Sequence, residues 1–270
     1  MLGVGLLLVA FPVAHGVILT ALYLPVTVML IGLILRGVAF DFRVKAHAQH
    51  KSLWNFAFFV GSLIAASAQG FMLGNYIMGF RHDFAAITFS LLIAAGLTSG
   101  YSLLGATWLI IKSDDALAAK AARWAWRALW CTGLGIAAVS LATPYLSARI
   151  FEKWFAMPAL FYLLLIPVIT ALLFGYCESR LRRLMRGAAI SDWRPFAAAI
   201  GLFVLAFAGL AYSLFPYLVI DRITLWQAAA APASLRFMLI GTLVALPAIV
   251  GYTIFSYWVF WGRSSELSYE

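Results

Sequence analysis

Runs of apolar residues of roughly membrane-crossing length recur along this chain, and short clusters of charge separate them. The clear runs cover about 17–35, 53–79, 84–111, 128–147, 155–177, 196–215 and 236–259. A helix that crosses a bilayer needs about 20 apolar residues at a rise of about 1.5 Å each. The pattern therefore predicts an all-α, polytopic transmembrane bundle of about seven full spans, with residues 1–270 forming a single transmembrane domain. Ahead of the first run, Met1 to Ala10 supplies only about ten apolar residues before Pro12, His15 and Gly16 interrupt the pattern. This opening reads as a partial helix. It has no basic flank and no small-residue cleavage site close behind it, so it does not read as a signal peptide.

Within the runs, the spacing of small residues adds detail. Gly61 with Ala65, and Ala66 with Gly70 and Gly74, recur at four-residue intervals, and Gly96 and Gly100 repeat the device in the next run. Such stripes let a neighbouring backbone approach closely, so these two helices are expected to be packed against. Arg81, His82 and Asp83 form a near-neutral turn, predicted to lie outside. Phe215-Pro216-Tyr217 opens an outer loop in which Leu225-Trp226-Gln227 is expected to form a short interfacial helix.

Composition agrees with the pattern. The chain is 64% hydrophobic and only 11% charged, against about 25% charged in soluble domains. Its net charge of +9 is spread over connections rather than gathered in one patch, which argues for membrane orientation and anionic lipid and against nucleic acid. Arg36 to Lys51 carries Arg36, Asp41, Arg43, Lys45 and Lys51; Lys112 to Arg127 and Arg180 to Arg194 are also basic. By the positive-inside rule, the connections 36–51, 112–127 and 180–194 are expected on the cytoplasmic side. Tryptophans fall near the ends of the runs, as an aromatic belt requires. Cys131 and Cys177 lie near run ends and imply neither a disulfide nor a metal site.

The chemistry-bearing residues are few. His15, His47, His50 and His82 lie at span ends or in connections, so no histidine is expected deep enough to ligate a buried haem. No Asp, Glu, Lys or Arg interrupts the middle of a span, where an ion or substrate pathway would leave its mark. Met72 and Met78 read as packing residues. His47 and His50, three apart, read as a solvated pair, with a metal ion as the alternative. Gln69, a polar side chain with reach among small residues, is expected to hydrogen-bond a neighbouring helix rather than a ligand. The spans look like those of a partner subunit. A small permease is the competing class, but permeases tend to show repeated halves and broken helices, and Pro144, Pro158, Pro167 and Pro247 do not recur at corresponding positions.

Leu35-Arg36-Gly37-Val38-Ala39-Phe40-Asp41-Phe42-Arg43 resembles the signature of subunit II of cytochrome bd-type quinol oxidases, in which an Arg-x-Val-x-Phe-acid-aromatic-Arg run closes one span. Trp54-Asn55-Phe56, Phe59-Val60-Gly61-Ser62, Gln69-Gly70 and Leu73-Gly74 are similar to the family's next helix. Gly100-Tyr101-Ser102-Leu103-Leu104-Gly105-Ala106-Thr107-Trp108-Leu109 is similar to a further run, and Ser213 to Tyr217, Leu225-Trp226 and Tyr252 to Phe260 are similar to its C-terminal third. The resemblance covers nearly the whole chain and is weakest over about 128–195. Gln69-Gly70 leans toward the cyanide-insensitive branch.

The resemblance implies a haem-free subunit of a complex in the bacterial inner (cytoplasmic) membrane, where quinol reduces dioxygen to water during aerobic respiration. It implies an obligate heterodimer with subunit I, which would carry haems b and d and oxidise ubiquinol, with membrane lipid around both. The present chain would ligate no cofactor and no metal. By the same resemblance, Asp41 and Lys45 match an acid and a base near the cytoplasmic mouth of a proton path, and Tyr269 is a further candidate in the C-terminal tail. Arg36, Arg43, Trp54 and Gln69 match orienting or subunit-contact positions. A purely structural assembly subunit is the alternative, differing in whether Asp41 and Lys45 carry protons. The family's complete first helix, and the Trp-Asp-Gly-Asn-like run after it, have no counterpart here, so the expectation is that Met1 is a truncated start.

Overall fold

The computed structural model describes residues 2–113, 115–146, 148–155, 157, 159–186 and 192–259. Ten α-helices run through them in the order α1 (Leu2–Ala10), α2 (Pro12–Lys45), α3 (Lys51–Ile77), α4 (Phe84–Lys112), α5 (Asp115–Leu146), α6 (Ala148–Phe155), α7 (Ala159–Met185), α8 (Arg194–Leu214), α9 (Leu225–Ala228) and α10 (Pro232–Val259). A two-stranded antiparallel hairpin, β1 (Tyr217–Val219) with β2 (Ile223–Thr224), stands between α8 and α9. Seven helices among the described residues are long and apolar enough to cross a membrane. The chain is an all-α, multi-pass membrane protein, as its hydropathy predicts.

The predicted helix ends are corrected in several places, for one physical reason. The first charged residue marks where the hydrocarbon ends, but nothing in Arg36-Gly37-Val38-Ala39-Phe40-Asp41-Phe42-Arg43-Val44-Lys45 ends a helix. So α2 continues to Lys45, and most of the supposed connection is helix. Its 34 residues give a length of roughly 50 Å against roughly 30 Å of hydrocarbon, so the charged end stands clear of the apolar layer. Arg43 and Lys45 lie in its last turn, opposite in sign to that helix end. Similarly, most of the expected connection 112–127 is the first part of α5. There Ala118, Ala121, Ala122 and Ala125 are buried while Lys120, Arg123 and Arg127 are exposed. Trp124, Trp126 and Trp130 lie along α5. In the third basic segment, α7 runs on to Met185. Arg149, Glu152 and Lys153 belong to the short amphipathic helix α6.

The opening is also corrected. Pro12 does not break the pattern: it occupies the start of α2, where its missing N–H costs nothing. Only Phe11 is irregular, and bonds of helical spacing bridge it, from Phe11 N to Leu7 O (3.0 Å) and from His15 N to Phe11 O (3.1 Å). The expected partial helix is α1, but no gap follows it: α1 leads almost directly into α2. In lipid every backbone polar group needs an internal partner, which favours continuation through His15 and Gly16.

Helix order and contact lay α2, α3, α4 and α5 side by side, with α7 on α5 and α8, and α8 against α4. Two packing regimes result. Between α2, α3 and α4 the contact surfaces are small residues. Among α4, α5, α7 and α8 a larger apolar core forms around Leu103, Ile110, Leu129, Leu181 and Leu202. Because successive long helices alternate in direction, the C-terminal ends of α2, α4 and α7 share one end of the bundle with the N-terminal ends of α3, α5 and α8. Trp108 near the end of α4 against Phe196 near the start of α8, with ring centroids 5.2 Å apart, fixes that alignment. The three basic segments therefore gather at one end.

Polar tethers lace the opposite end. Tyr76 donates its hydroxyl to Leu218 O at 2.6 Å. Lys153 of α6 donates to Tyr212 O and Phe215 O, both at 2.7 Å, closing over carbonyls at the end of α8. The outer loop contains the expected short helix, α9, with Thr224 and Gln227 capping each other's backbone, and in addition a hairpin that the apolar pattern did not indicate. Asp221, at φ 52°, makes its turn.

Candidate functional site

The candidate residues converge on the junction of α2 and α3. Ala46 to His50 connect the two helices, with Ala48–His50 as a single 3-10 turn in which His50 N donates to His47 O at 2.9 Å. Below the turn the helices are in backbone contact: a Cβ on Gly61 would stand 2.7 Å from Gly32 O and 2.8 Å from Arg36 N. No larger residue fits at Gly61 without displacing α2, so this glycine sets the distance at which the charged ends above it meet.

Three contacts join those ends. Arg43 donates from Nε to Asn55 Oδ1. Phe42 and Trp54 stack, centroids 5.1 Å apart and planes at 27°. The Arg36 guanidinium lies 5.4 Å from the centre of the Phe58 ring, within the range of a cation–π contact. Arg36 and Arg43 of α2 are thus engaged with α3, and Trp54 of α3 with α2. Gln69, four turns further along α3, accepts a hydrogen bond from the Tyr101 hydroxyl of α4 at 2.9 Å, the interhelical bond its position suggested. It is remote from the junction, and the structure does not bring it to the other candidates.

Asp41 and Lys45 differ from these. Standing four residues apart on α2, they lie close to one face of the helix. Both are exposed, and neither forms an ion pair or hydrogen bond with a described residue. The junction thus carries a fixed set of contacts made by Arg36, Phe42 and Arg43, and beside it an acid and a base open to water. Tyr269 lies outside the described residues.

His15 requires a correction. It was expected at a span end, but α1 continues ahead of it, so it sits within the helical run, and its Nδ1 is buried without a hydrogen-bond partner among the described residues. It stands alone: among the described residues no three His, Cys, Asp or Glu side chains converge as a metal site. His47 and His50 are exposed at the turn. In the sequence, Phe42 and Asn55 stood only as motif members with no individual role, and Phe58 was not singled out. Asn55 was legible in principle, as an amide among aromatics at the start of an apolar run; the two phenylalanines were indistinguishable from lipid-facing ones.

Comparison with known proteins bears on what this junction belongs to. Cytochrome bd ubiquinol oxidase subunit 2 of Bacillus subtilis (strain 168) is 25% identical, over 98% of this chain and 80% of the relative. The probable cytochrome oxidase subunit 2 of Haemophilus influenzae is 24% identical, over 96% and 78%. Cytochrome bd-I ubiquinol oxidase subunit 2 of Escherichia coli (strain K12) is 23% identical, over 98% and 80%. The family described as cytochrome bd terminal oxidase subunit II matches residues 1–260. That match takes in every span and the α2–α3 junction, and it displaces the permease reading: the chain belongs to the cytochrome bd terminal oxidase subunit II family.

Proposed function

We propose that this chain is the haem-free membrane subunit of a quinol:dioxygen oxidoreductase, packed against a subunit I that carries haems b and d and oxidises ubiquinol. Its own contribution is twofold: it supports that subunit, and it helps to admit protons from the cytoplasm for the reduction of oxygen to water. On this reading the basic end of the bundle faces the cytoplasm, in keeping with the positive-inside rule.

The observation that carries the proposal is the division of labour at the α2–α3 junction. Arg36, Phe42 and Arg43 are spent on Phe58, Trp54 and Asn55 of α3, which holds the end of α2 in place. Asp41 and Lys45 remain solvent-exposed and unpaired among the described residues. A carboxylate beside an amine at a water-facing helix end can collect and release protons without breaking a structural bond. The same contacts also favour a second reading, an assembly subunit in which the junction only holds helices together.

Asp41→Asn separates the two. It removes the titrating group and roughly keeps side-chain volume. The expected result is a normal yield of assembled oxidase in the membrane, with oxygen consumption per complex lowered severalfold and its pH profile altered. Wild-type turnover across the pH range in assembled Asp41→Asn complex would leave only the structural role.

A further inference from the structure

The basic end of the bundle holds a second feature, remote from the α2–α3 junction. Between the first turns of α5 and the last turns of α7 lies a cavity of about 420 Å³, bounded by Arg123, Trp126, Arg127, Arg182, Met185 and Arg186. That volume falls within the roughly 300–1,000 Å³ range of ligand sites. Arg123 and Arg127 are four apart on α5, and Arg182 and Arg186 four apart on and just beyond α7. Like charges at this spacing repel, and here two such pairs face one space.

Little protein charge offsets them. Glu178 binds Arg182 at 2.6 Å, and the neighbouring acid Asp192 is held by Arg180 at 2.7 Å. Among the described residues no acid pairs with Arg123, Arg127 or Arg186. Trp126 lines the cavity with its ring, while its indole Nε1–H is buried with no hydrogen-bond partner among the described residues.

Arginines from two helices lining one space suit a phosphate, whose oxygens take bidentate bonds from guanidinium groups. The position selects the source of that phosphate. Arg123 and Arg182 lie on the polar ends of two helices long and apolar enough to cross a membrane, where lipid headgroups would meet them. Trp126 and Met185 add an apolar wall, and α5 carries the exposed Trp124 and Trp130 on either side of Trp126 in sequence, a concentration of tryptophan typical of the interface. Basic pockets between transmembrane helices are a recognised means of holding anionic headgroups.

We propose that this cavity binds the headgroup phosphate of one anionic phospholipid, of the phosphatidylglycerol class. The site is independent of the proton path and of the contacts at the α2–α3 junction.

Native mass spectrometry of the full chain, with its oxidase partner where the two copurify, tests this by titration with dioleoyl phosphatidylglycerol, dioleoyl phosphatidylcholine and inorganic phosphate in turn. The expected outcome is one retained phosphatidylglycerol, favoured over phosphatidylcholine by about tenfold or more and not displaced by inorganic phosphate. Arg123→Gln with Arg186→Gln takes one unpaired base from each side and should bring phosphatidylglycerol down to the phosphatidylcholine level. Trp126→Phe, which keeps an aromatic ring in the wall, should leave retention within about twofold. The corresponding Lys variants keep the charge and should retain the preference, which guards against misfolding as the cause of a loss. Equal retention of the two lipids, or unchanged retention in the double Gln variant, would overturn the proposal. Displacement by inorganic phosphate would overturn it too, by making the site one for a soluble anion.

Discussion

The α3–α4 contact and helix α10 are both long apolar stretches of similar hydropathy, yet one is locked into the protein and the other stands almost free of it. A Cβ on Gly70 would meet Ala94 Cα at 2.5 Å, and one on Gly74 would meet Ser90 Cα at 2.5 Å. In contrast, α10 has no buried residue. In lipid the burial of apolar side chains supplies no driving force between helices, because the acyl chains are as apolar as leucine. What separates the two regions is therefore the size of the residues. Small residues at four-residue spacing bring two backbones within dispersion range, while Phe237, Leu243, Val244 and Ile254 hold neighbours at a distance.

The strongest way to break the comparison is to give α3 a side chain where it meets backbone. Because Ala94 presents main-chain atoms, nothing flexible can move aside for a substituent at Gly70. Gly70→Val should cost about 3 kcal/mol or more, read as a large drop in thermal midpoint and in the yield of monodisperse protein in mild detergent. Retention of wild-type stability would mean that α3 and α4 are not in contact at this point.

A smaller effect tests the polar tether between the packed region and the segment leading to α10. Tyr76, at the end of α3, donates to Leu218 O in β1 at 2.6 Å and packs edge-on against Phe80. Tyr76→Phe keeps the ring contact and leaves the Leu218 carbonyl without that donor. The expected cost is about 1 kcal/mol, with faster amide exchange in the hairpin and little change in α4. Uniform loosening of both would show that the hairpin and the bundle open as one unit.

The same contrast explains what could be read in the sequence. Hydropathy located all seven spans, and the four-residue stripes of Gly61, Gly70 and Gly74 singled out the helix whose backbone is approached. Helix ends were harder. Charge marks the edge of the hydrocarbon, but the backbone bonds of α2, α5 and α7 continue past that edge into water, so Arg36, Arg123 and Arg182 lie on helices rather than in loops. The junction was half legible. Its charged residues stood out by scarcity, while their partners Phe58 and Trp54 depend on the crossing of α2 and α3 that Gly61 permits. The arginine cavity was wholly hidden, because it unites segments that are some 60 residues apart, 123–127 and 182–186.

The subtlest prediction concerns α10 itself. It touches the rest of the chain near its two ends. Ala230 N, just ahead of it, donates to Ala10 O at 2.8 Å, and Tyr257 meets Trp108 edge-on with centroids 5.8 Å apart. Between those points Phe237 and Val244 are 79% and 73% exposed. Cutting such side chains to alanine exchanges contacts with acyl chains or detergent for other contacts of the same kind and opens no cavity, so the usual penalty of core truncation does not arise. Phe237→Ala, Val244→Ala and Ile254→Ala should each change the stability of the isolated chain by less than about 0.5 kcal/mol. Tyr257→Ala should cost more, since it removes the aromatic contact that fixes the far end of the helix. Thermal unfolding of the four variants in one detergent gives the ranking directly. A loss at Val244 as large as that at Tyr257 would mean that the middle of α10 packs on the bundle, and the contrast between a seam of small residues and a free apolar helix would then not hold.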